Sequence, residues 1–275
     1  MLNATLSAKL DRLRHIFNES SEVLVAYSGG IDSTLVAKVA FDVLGDRALA
    51  ITANSPSLLP ADLAAAQVQA EFMGIKHQIV DTDEMNNPNY TSNPINRCYF
   101  CKSELHDTLK PLAKTMGYGY VVDGLNVDDL QDYRPGIQAA KERGVRSPLA
   151  EVGISKIEVR MLSQHLGMPW WDKPSQPCLS SRFPYGEEIT IEKLRRVGNA
   201  EQYLRDRGWK GDIRVRSMGD TAKIEVPGDR LSEFMTAMIV NDLTKAFRTY
   251  GFTSVTLDLE GFRSGKMNDA IAHIA

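Results

Sequence analysis

Two groups of residues in this sequence have types and spacings suited to chemistry. The first is Ser28-Gly29-Gly30-Ile31-Asp32-Ser33-Thr34, directly after the apolar run Val23-Leu24-Val25-Ala26-Tyr27. Glycines permit a backbone path and a close approach that a Cβ forbids. Ser28, Ser33 and Thr34 add hydroxyl donors, and unpaired N–H groups at a helix start point at whatever occupies the turn. Such a turn binds an anion, most often phosphate. A plain glycine turn is the bland alternative, and the complete motif directly after a strand speaks against it. The second group is the three cysteines: Cys98 and Cys101 as C-x-x-C, and Cys178 within Gln176-Pro177-Cys178-Leu179-Ser180-Ser181-Arg182. None sits on an apolar helix face where a thiol would merely pack, and a helix start favours the thiolate of the first two. Three explanations stand side by side. The thiols are unrelated; or Cys98, Cys101 and His106 form a structural zinc site, C-x2-C-x4-H; or all three cysteines hold a [4Fe–4S] cluster. A cluster on three thiolates leaves one iron open, which points to chemistry there, such as carrying an extra sulfide, rather than to electron transfer.

The elements that must position these groups are legible in hydrophobic periodicity. Residues 5–17 read as a helix, with Leu6, Leu10, Leu13 and Phe17 on one face. Then come strand 23–27, the glycine turn, a helix to Leu44, strand 48–53, a helix from Pro60 to Met73 stopped by Gly74, and a short strand at 78–80. Residues 82–97, with Asn86-Asn87-Pro88-Asn89 and Asn93-Pro94, read as a long polar loop. A helix over 98–116 and a fourth strand at 120–123 follow, and Ser155-x-x-Glu158 caps a helix reaching His165. Strands alternating with helices predict an α/β fold with a doubly wound parallel sheet, its ligands at the carboxyl ends of the strands. Composition changes at Trp170-Trp171-Asp172-Lys173-Pro174, so we place a nucleotide-binding domain over 1–172 and a smaller C-terminal α+β domain over 173–275. In the latter we expect an irregular stretch over 172–190, a helix over 191–207, a hairpin turned at Gly219-Asp220, a helix over 230–249 and a strand over 253–259. The tail Gly261-Phe262-Arg263-Ser264-Gly265-Lys266 is one residue short of a Walker A loop, and Met267 stands where Ser or Thr is needed.

The 275 residues are comfortable for two domains, and 43% hydrophobic with 24% charged residues is ordinary globular composition. A net charge of −3 and a pI near 6.0 give no broad basic surface, which disfavours a nucleic-acid partner. No apolar run reaches the ~18 residues that span a bilayer. Met1 to Ser20 lacks the apolar core of a signal peptide. We therefore expect a cytoplasmic protein without a membrane partner, whose cysteines do not serve as a disulfide framework. We also expect a homo-oligomer.

The glycine turn lacks the lysine of a Walker A loop and resembles the pyrophosphate-binding SGGxDS loop of the PP-loop ATPases. That resemblance implies ATP cleaved between its α and β phosphates, a substrate oxygen activated as an adenylate, and a fold of the PP-loop (adenine nucleotide alpha hydrolase-like) type. Over nearly the whole chain the sequence is similar to the LarE family of PP-loop sulfur transferases. The segments that carry this are the glycine turn, Asp123-Gly124 with Asp132-Tyr133-Arg134-Pro135-Gly136, Cys178-Leu179-Ser180-Ser181-Arg182-Phe183-Pro184-Tyr185-Gly186, Arg214-Val215-Arg216, and Gly261-Phe262-Arg263-Ser264-Gly265. The resemblance implies thiolation of the two carboxylates of a pyridinium-3,5-dicarboxylate mononucleotide, each first adenylated by ATP with Mg2+, on the way to a nickel-pincer nucleotide cofactor. In the single-cysteine subtype, the residue matching Cys178 gives up its own sulfur. Cys98 and Cys101 make this chain resemble the three-cysteine subtype, in which a [4Fe–4S] cluster supplies it.

From these readings we expect Ser28, Gly29, Gly30, Asp32 and Ser33 to hold the phosphates, with Asp32 positioning magnesium or the turn itself. Asn54 and Gly124, at the ends of neighbouring strands, bracket the adenosine. Arg214 and Arg216 alternate along one strand, so both face one side and suit the substrate phosphate. Arg182 is expected on a substrate carboxylate or phosphate, and Glu201, Glu225 and Glu233 match family positions for an acidic metal site. A tRNA-thiolating enzyme, an amide-forming ligase with structural zinc and a non-catalytic adenine-nucleotide sensor are the rival readings.

Overall fold

Alternation within one short strand sets the architecture. In β1 (Val23–Ala26), Val23 and Val25 join an apolar cluster on one face of a sheet while Leu24 joins a separate cluster on the other. A strand buried on both faces reads as a continuous apolar run because helices must cover both sides. The computed structural model describes residues 2–131, 135–175, 177–237, 240–263 and 265–268. Asp132, Tyr133, Arg134 and Ser264, to which the resemblance appealed, lie outside the described residues, as does Gln176.

In chain order the elements are α1 (Ala4–Asn18), β1, α2 (Ile31–Leu44), β2 (Ala48–Asn54), α3 (Pro60–Met73), β3 (Lys76–Asp81), α4 (Pro88–Thr91), α5 (Arg97–Met116) and β4 (Tyr120–Val122). Next are α6 (Pro135–Glu142), α7 (Pro148–Val152), α8 (Lys156–His165), α9 (Ile191–Asp206), β5 (Arg214–Met218), β6 (Thr221–Glu225), α10 (Leu231–Ala237), α11 (Val240–Thr249) and β7 (Ser254–Leu257). The chain divides into two units: Met1–Glu84 with Asn96–Gln176, and Met85–Ile95 with Pro177–Ala275.

The first unit is an α/β layer structure on a parallel four-stranded sheet of order β3-β2-β1-β4. Residues of α1, α2, α3, α7 and α8 pack on one face around Leu13, Leu35 and Ala40. Leu109, Ala113 and Ala140 of α5 and α6 pack on the other. The connection runs outward from β1 through β2 to β3 and returns to place β4 on the other side of β1. That reversal makes a crevice outside the carboxyl ends of β1 and β4, where ligands of such sheets bind. The second unit has a three-stranded sheet of order β5-β6-β7, with β5 antiparallel and β7 parallel to β6.

Most expected elements appear within a residue or two of their predicted bounds. The supposed loop over 82–97 carries α4, held because Asn87 caps it by accepting from the Asn89 N–H at 3.0 Å. Helices α6 and α7 were not foreseen; eight and five residues are too few for periodicity to register. The expected helix over 230–249 is described as α10 and α11, on either side of 238–239, which are outside the described residues. The capping box on α8 is present in full, Ser155 and Glu158 satisfying each other's backbone N–H groups.

Two close approaches at the β1–β4 crevice depend on glycine. Gly29 has φ +68°, and a Cβ there would stand 2.8 Å from the Cβ of Ala66 on α3. A Cβ on Gly124 would stand 2.5 Å from the Ser33 nitrogen and 2.8 Å from its Cα, so the chain leaving β4 lies directly against the first turn of α2. We predict that Gly124→Ala pushes these segments apart and costs about 1–3 kcal/mol of folding free energy, read by urea denaturation. An unchanged unfolding midpoint would show that the contact is dispensable.

Candidate active site

The glycine turn builds its own hydrogen-bond frame. Gly30 caps α2 in an extended conformation, and its carbonyl accepts from the Thr34 N–H at 2.9 Å, Ser33 Oγ at 3.0 Å and Thr34 Oγ1 at 2.8 Å. Ser28 Oγ lies 3.1 Å from Ser33 Oγ and accepts the Gly30 N–H at 3.3 Å. Ser28 itself is exposed, so the frame is open toward the crevice. Tyr27 donates to Gln69 Oε1 of α3 at 2.9 Å, and Thr34 Oγ1, its one hydrogen shared with the Gly30 carbonyl, stands 3.2 Å from the same oxygen, which ties the turn to a second helix. Burial pushes the Tyr27 hydroxyl up to about 12, so it stays a neutral donor. The whole arrangement presents a helix N-terminus and hydroxyls to an anion.

Asp32, in the first turn of α2, is held by two partners from the far side of β4. Asn126 Nδ2 donates to Oδ1 at 3.1 Å, and Lys156 Nζ pairs with Oδ2. Asn126 is 2% exposed and accepts the N–H groups of Asp128 and Asp129 through its own carbonyl oxygen. Lys173 Nζ donates to the Gly29 carbonyl at 3.3 Å and lies 3.7 Å from Asp62. Trp170 and Trp171 line a recess beside Gly29 together with Gln69 and Lys173, and Trp170 stands edge-on to Phe72. Sequence reasoning missed Asn126, Lys156 and Lys173. The one available signal was position: Asn126 follows a strand end, and Lys156 follows a cap.

Asn54 is exposed at the end of β2 and donates to Asp81 Oδ1 at 2.7 Å. Gly124 lies against Ser33 and Asp32, so close backbone packing by itself accounts for a glycine there. With respect to magnesium, Asp32 offers the hard carboxylate oxygen this ion takes alongside substrate phosphates. That carboxylate is shared with Lys156.

Cys98 and Cys101 stand three residues apart in the opening turns of α5, hence as neighbours on its surface. Cys98 is exposed and Cys101 half-buried. Two accessible thiols so placed fit the soft donor set of an iron–sulfur group. His106 departs from the zinc reading. It is fully buried, and ~140° around the helix separates it from Cys101. Burial, with Lys102 and Arg143 nearby, pushes its imidazole down to about 3.

Cys178 belongs to the second unit, where it precedes the single turn Leu179–Arg182. Its carbonyl accepts Ser181 N at 3.0 Å, Ser181 Oγ at 2.8 Å and Arg182 Nη1 at 3.3 Å. Residues 85–95 fasten the same loop: Tyr90 Oη meets Ser180 Oγ at 2.6 Å, and Asn93 Nδ2 donates to the Pro184 carbonyl at 2.6 Å. Arg182 is 1% exposed and grips Glu201 with two hydrogen bonds, at 2.7 and 2.9 Å. Burial disfavours the Glu201 carboxylate, but Arg182 and the Val215 N–H outweigh it and hold the carboxyl below its ordinary range. Arg216 pairs with Glu225 and donates to the Ser181 carbonyl at 2.8 Å. Arg214 lies over the Phe262 ring; burial and the neighbouring charges of Arg182 and Arg216 lower it to about 10. Glu201, Glu225 and Glu233 are thus each paired to arginine, the last to Arg230 on the surface. Arg182, Arg214 and Arg216 come together around the Cys178 loop, with Arg182 engaged in holding it. Among the described residues, no three His, Cys, Asp or Glu side chains form a metal-holding group.

A model of the NAD synthase family matches residues 7–94. The chain is 40% identical over 270 residues to the pyridinium-3,5-bisthiocarboxylic acid mononucleotide synthase of Lactiplantibacillus plantarum, covering 98% of this chain and 96% of that one. It is 64% identical over 263 residues to an uncharacterised Synechocystis protein, with 96% and 98% covered. An uncharacterised Methanocaldococcus jannaschii protein is 32% identical over 259 residues, with 93% and 98% covered. Among the described residues, no helix is long and apolar enough to cross a membrane.

The buried His106 gives a pH signature. Above pH ~6.5 the imidazole is neutral in both folded and unfolded chains, and its contribution is complete. As pH falls below that, only the unfolded chain takes the proton, so stability drops toward pH 3. Relative to His106→Leu, the wild-type protein should lose up to ~1.4 kcal/mol per pH unit between pH 6.5 and 5, measured by denaturant unfolding. Parallel pH profiles would refute a neutral buried imidazole.

Proposed function

The chain belongs to the LarE family of PP-loop sulfur transferases, ATP-using enzymes, and we propose that its substrate is pyridinium-3,5-biscarboxylic acid mononucleotide. The observation that carries this reading is a likeness to the pyridinium synthase that covers 98% of the chain, and with it both the glycine turn and the Cys178 loop.

A carboxylate is a poor acyl donor because oxide does not leave. An oxygen of the substrate carboxylate attacks the α-phosphorus of ATP, the bond from that phosphorus to the bridging oxygen breaks, and pyrophosphate departs with the electron pair. The N–H groups at the start of α2, with the Ser28 and Ser33 hydroxyls, hold the departing charge in a fixed frame, which is where such donors accelerate a reaction. Asp32 serves the magnesium that accompanies the phosphates, and Asn54 and Gly124 bracket the adenosine. Arg214 and Arg216 hold the nucleotide phosphate of the substrate. Burial and the charges of Arg182 and Arg216 weigh against the Arg214 cation while Glu201 and Asp212 favour it, and a bound phosphate would favour it further. Arg182 shapes the Cys178 loop through its backbone contacts. Thiolation replaces the bound AMP by sulfur, and a [4Fe–4S] group on Cys98, Cys101 and Cys178, when bound, supplies that sulfur. The working form is a cytoplasmic homo-oligomer.

Anaerobically prepared protein should be brown, with about four iron and four labile sulfide per chain. Cys98→Ser should abolish both colour and thiolation. Full thiolation by Cys98→Ser, with Cys178 lighter by the mass of hydrogen sulfide, would instead identify a single-turnover cysteine donor; colourless protein with one zinc would favour the ligase. Arg214→Ala should raise KM for the pyridinium nucleotide by roughly tenfold or more, the worth of a charge-assisted hydrogen bond, with KM for ATP little changed. Equal rises in both would remove the phosphate assignment.

A further inference from the structure

The glycine turn has no basic residue of its own: Ser28 to Thr34 contains one charge, the carboxylate of Asp32. The nearest lysine along α2, Lys38, is engaged with Asp42 in the next helical turn. A bare carboxylate in a turn that receives polyphosphate would repel it. Yet the structure brings an ammonium to that carboxylate from 124 residues away, in Lys156.

Lys156 is placed by several independent contacts within the first unit. It is the first residue of α8, whose start is fixed by the Ser155–Glu158 capping box. Its backbone N–H donates to Asp128 Oδ2 at 2.7 Å, in the segment that follows β4. Glu158 is anchored from α1 by Lys9, which also donates to the Gly153 carbonyl at 2.6 Å. The side chain then reaches the phosphate turn while staying about one-third exposed, at 33%. A lysine of this kind is a mobile point charge with three donors, able to change partners without moving the backbone.

We propose that Lys156 is the phosphate-binding cation of this turn, taking the place of the lysine the loop lacks. In the structure its ammonium rests on Asp32. A β- or γ-phosphate oxygen entering over the helix start competes for the same ammonium. On binding, Lys156 passes to the phosphate and leaves the Asp32 carboxylate to the metal that accompanies it. When the α-phosphorus is attacked, the electron pair of the breaking bond stays on the pyrophosphate oxygen, and the ammonium offsets that charge with no proton transferred.

The proposal rests on ATP use alone, so its test omits the pyridinium nucleotide and any sulfur source. Calorimetric titration of the full-length protein with inorganic pyrophosphate and magnesium, and separately with AMP, reads the two halves of the nucleotide site. Lys156→Met should weaken pyrophosphate binding by roughly 10–100-fold while AMP stays within about threefold, as expected for loss of one charge-assisted contact. Lys156→Gln retains a donor for Asp32 but not the charge, and should show the same selective loss. A thermal midpoint within about 3 °C of wild type confirms that each variant folds. Retained pyrophosphate binding in Lys156→Met, full restoration by Gln, or equal weakening of both ligands would overturn the assignment and leave Lys156 as a brace for Asp32.

Discussion

Two other parts of the chain come within contact of the glycine turn, and both approaches are made at glycine. Gly29 turns left-handed under Ala66 of α3, and Gly124 lets the end of β4 touch Ser33. A helix N-terminus carries its partial positive charge in the first turn. Crowding that turn with backbone excludes water from its flanks while the exposed Ser28 face stays open. The sheet reversal between β1 and β4 supplies the crevice, and the glycines let its walls close to atomic contact. The hydroxyls of Ser28 and Ser33 keep their common frame through bonds within the turn itself, and the two contacts set what packs against it.

Much of this was legible in the sequence because the determinants are local. The turn motif, the strand before it, the caps on α3 and α8 and the apolar face of α1 each lie within one window of residues, and each element formed where its pattern stands. What stayed hidden was set by partners distant in sequence. Asp32 read as a metal or turn residue, and nothing near it announces Lys156 or Asn126 as neighbours. His106 fitted a linear metal-ligand spacing, but helical geometry turns it into the core while Cys98 faces solvent. Arg182 read as a ligand-binding group, and its pairing with Glu201 depends on how the Cys178 loop packs on α9.

Buried charge is handled differently in the second unit. Arg182, Arg214 and Arg216 are all buried, none more than 5% exposed, and the fully buried carboxylates near them are Glu201 and Glu225. Taking these charges out of water is costly, and good geometry with complete hydrogen bonding is what offsets the cost. Arg182 meets that condition by directing its donors to Glu201 and to the carbonyls of Pro177 and Cys178. The loop that carries the thiol is therefore fixed through its backbone, so Cys178 can be positioned while its sulfur keeps no structural duty in these contacts.

The choice between lysine and arginine in the two units follows from what each charge must do. A guanidinium presents a planar fork, stays charged, and loses little freedom when two donors engage one carboxylate, which suits a fixed buried scaffold. An ammonium on a flexible stem is directionless and changes partner cheaply, which suits a site where pyrophosphate must bind and leave at each turnover. Around the Cys178 loop the cations are arginines, all buried, and Arg182 engages both oxygens of Glu201 while Arg216 sets two donors on one oxygen of Glu225. Around the glycine turn they are Lys156 and Lys173, partly exposed and resting on Asp32, Asp62 and the Gly29 carbonyl. Exchanging the two kinds would fail in opposite directions: lysine at 182 would leave buried carboxylate oxygens without their second donor, and arginine at 156 would grip Asp32 with a fork that phosphate must first undo.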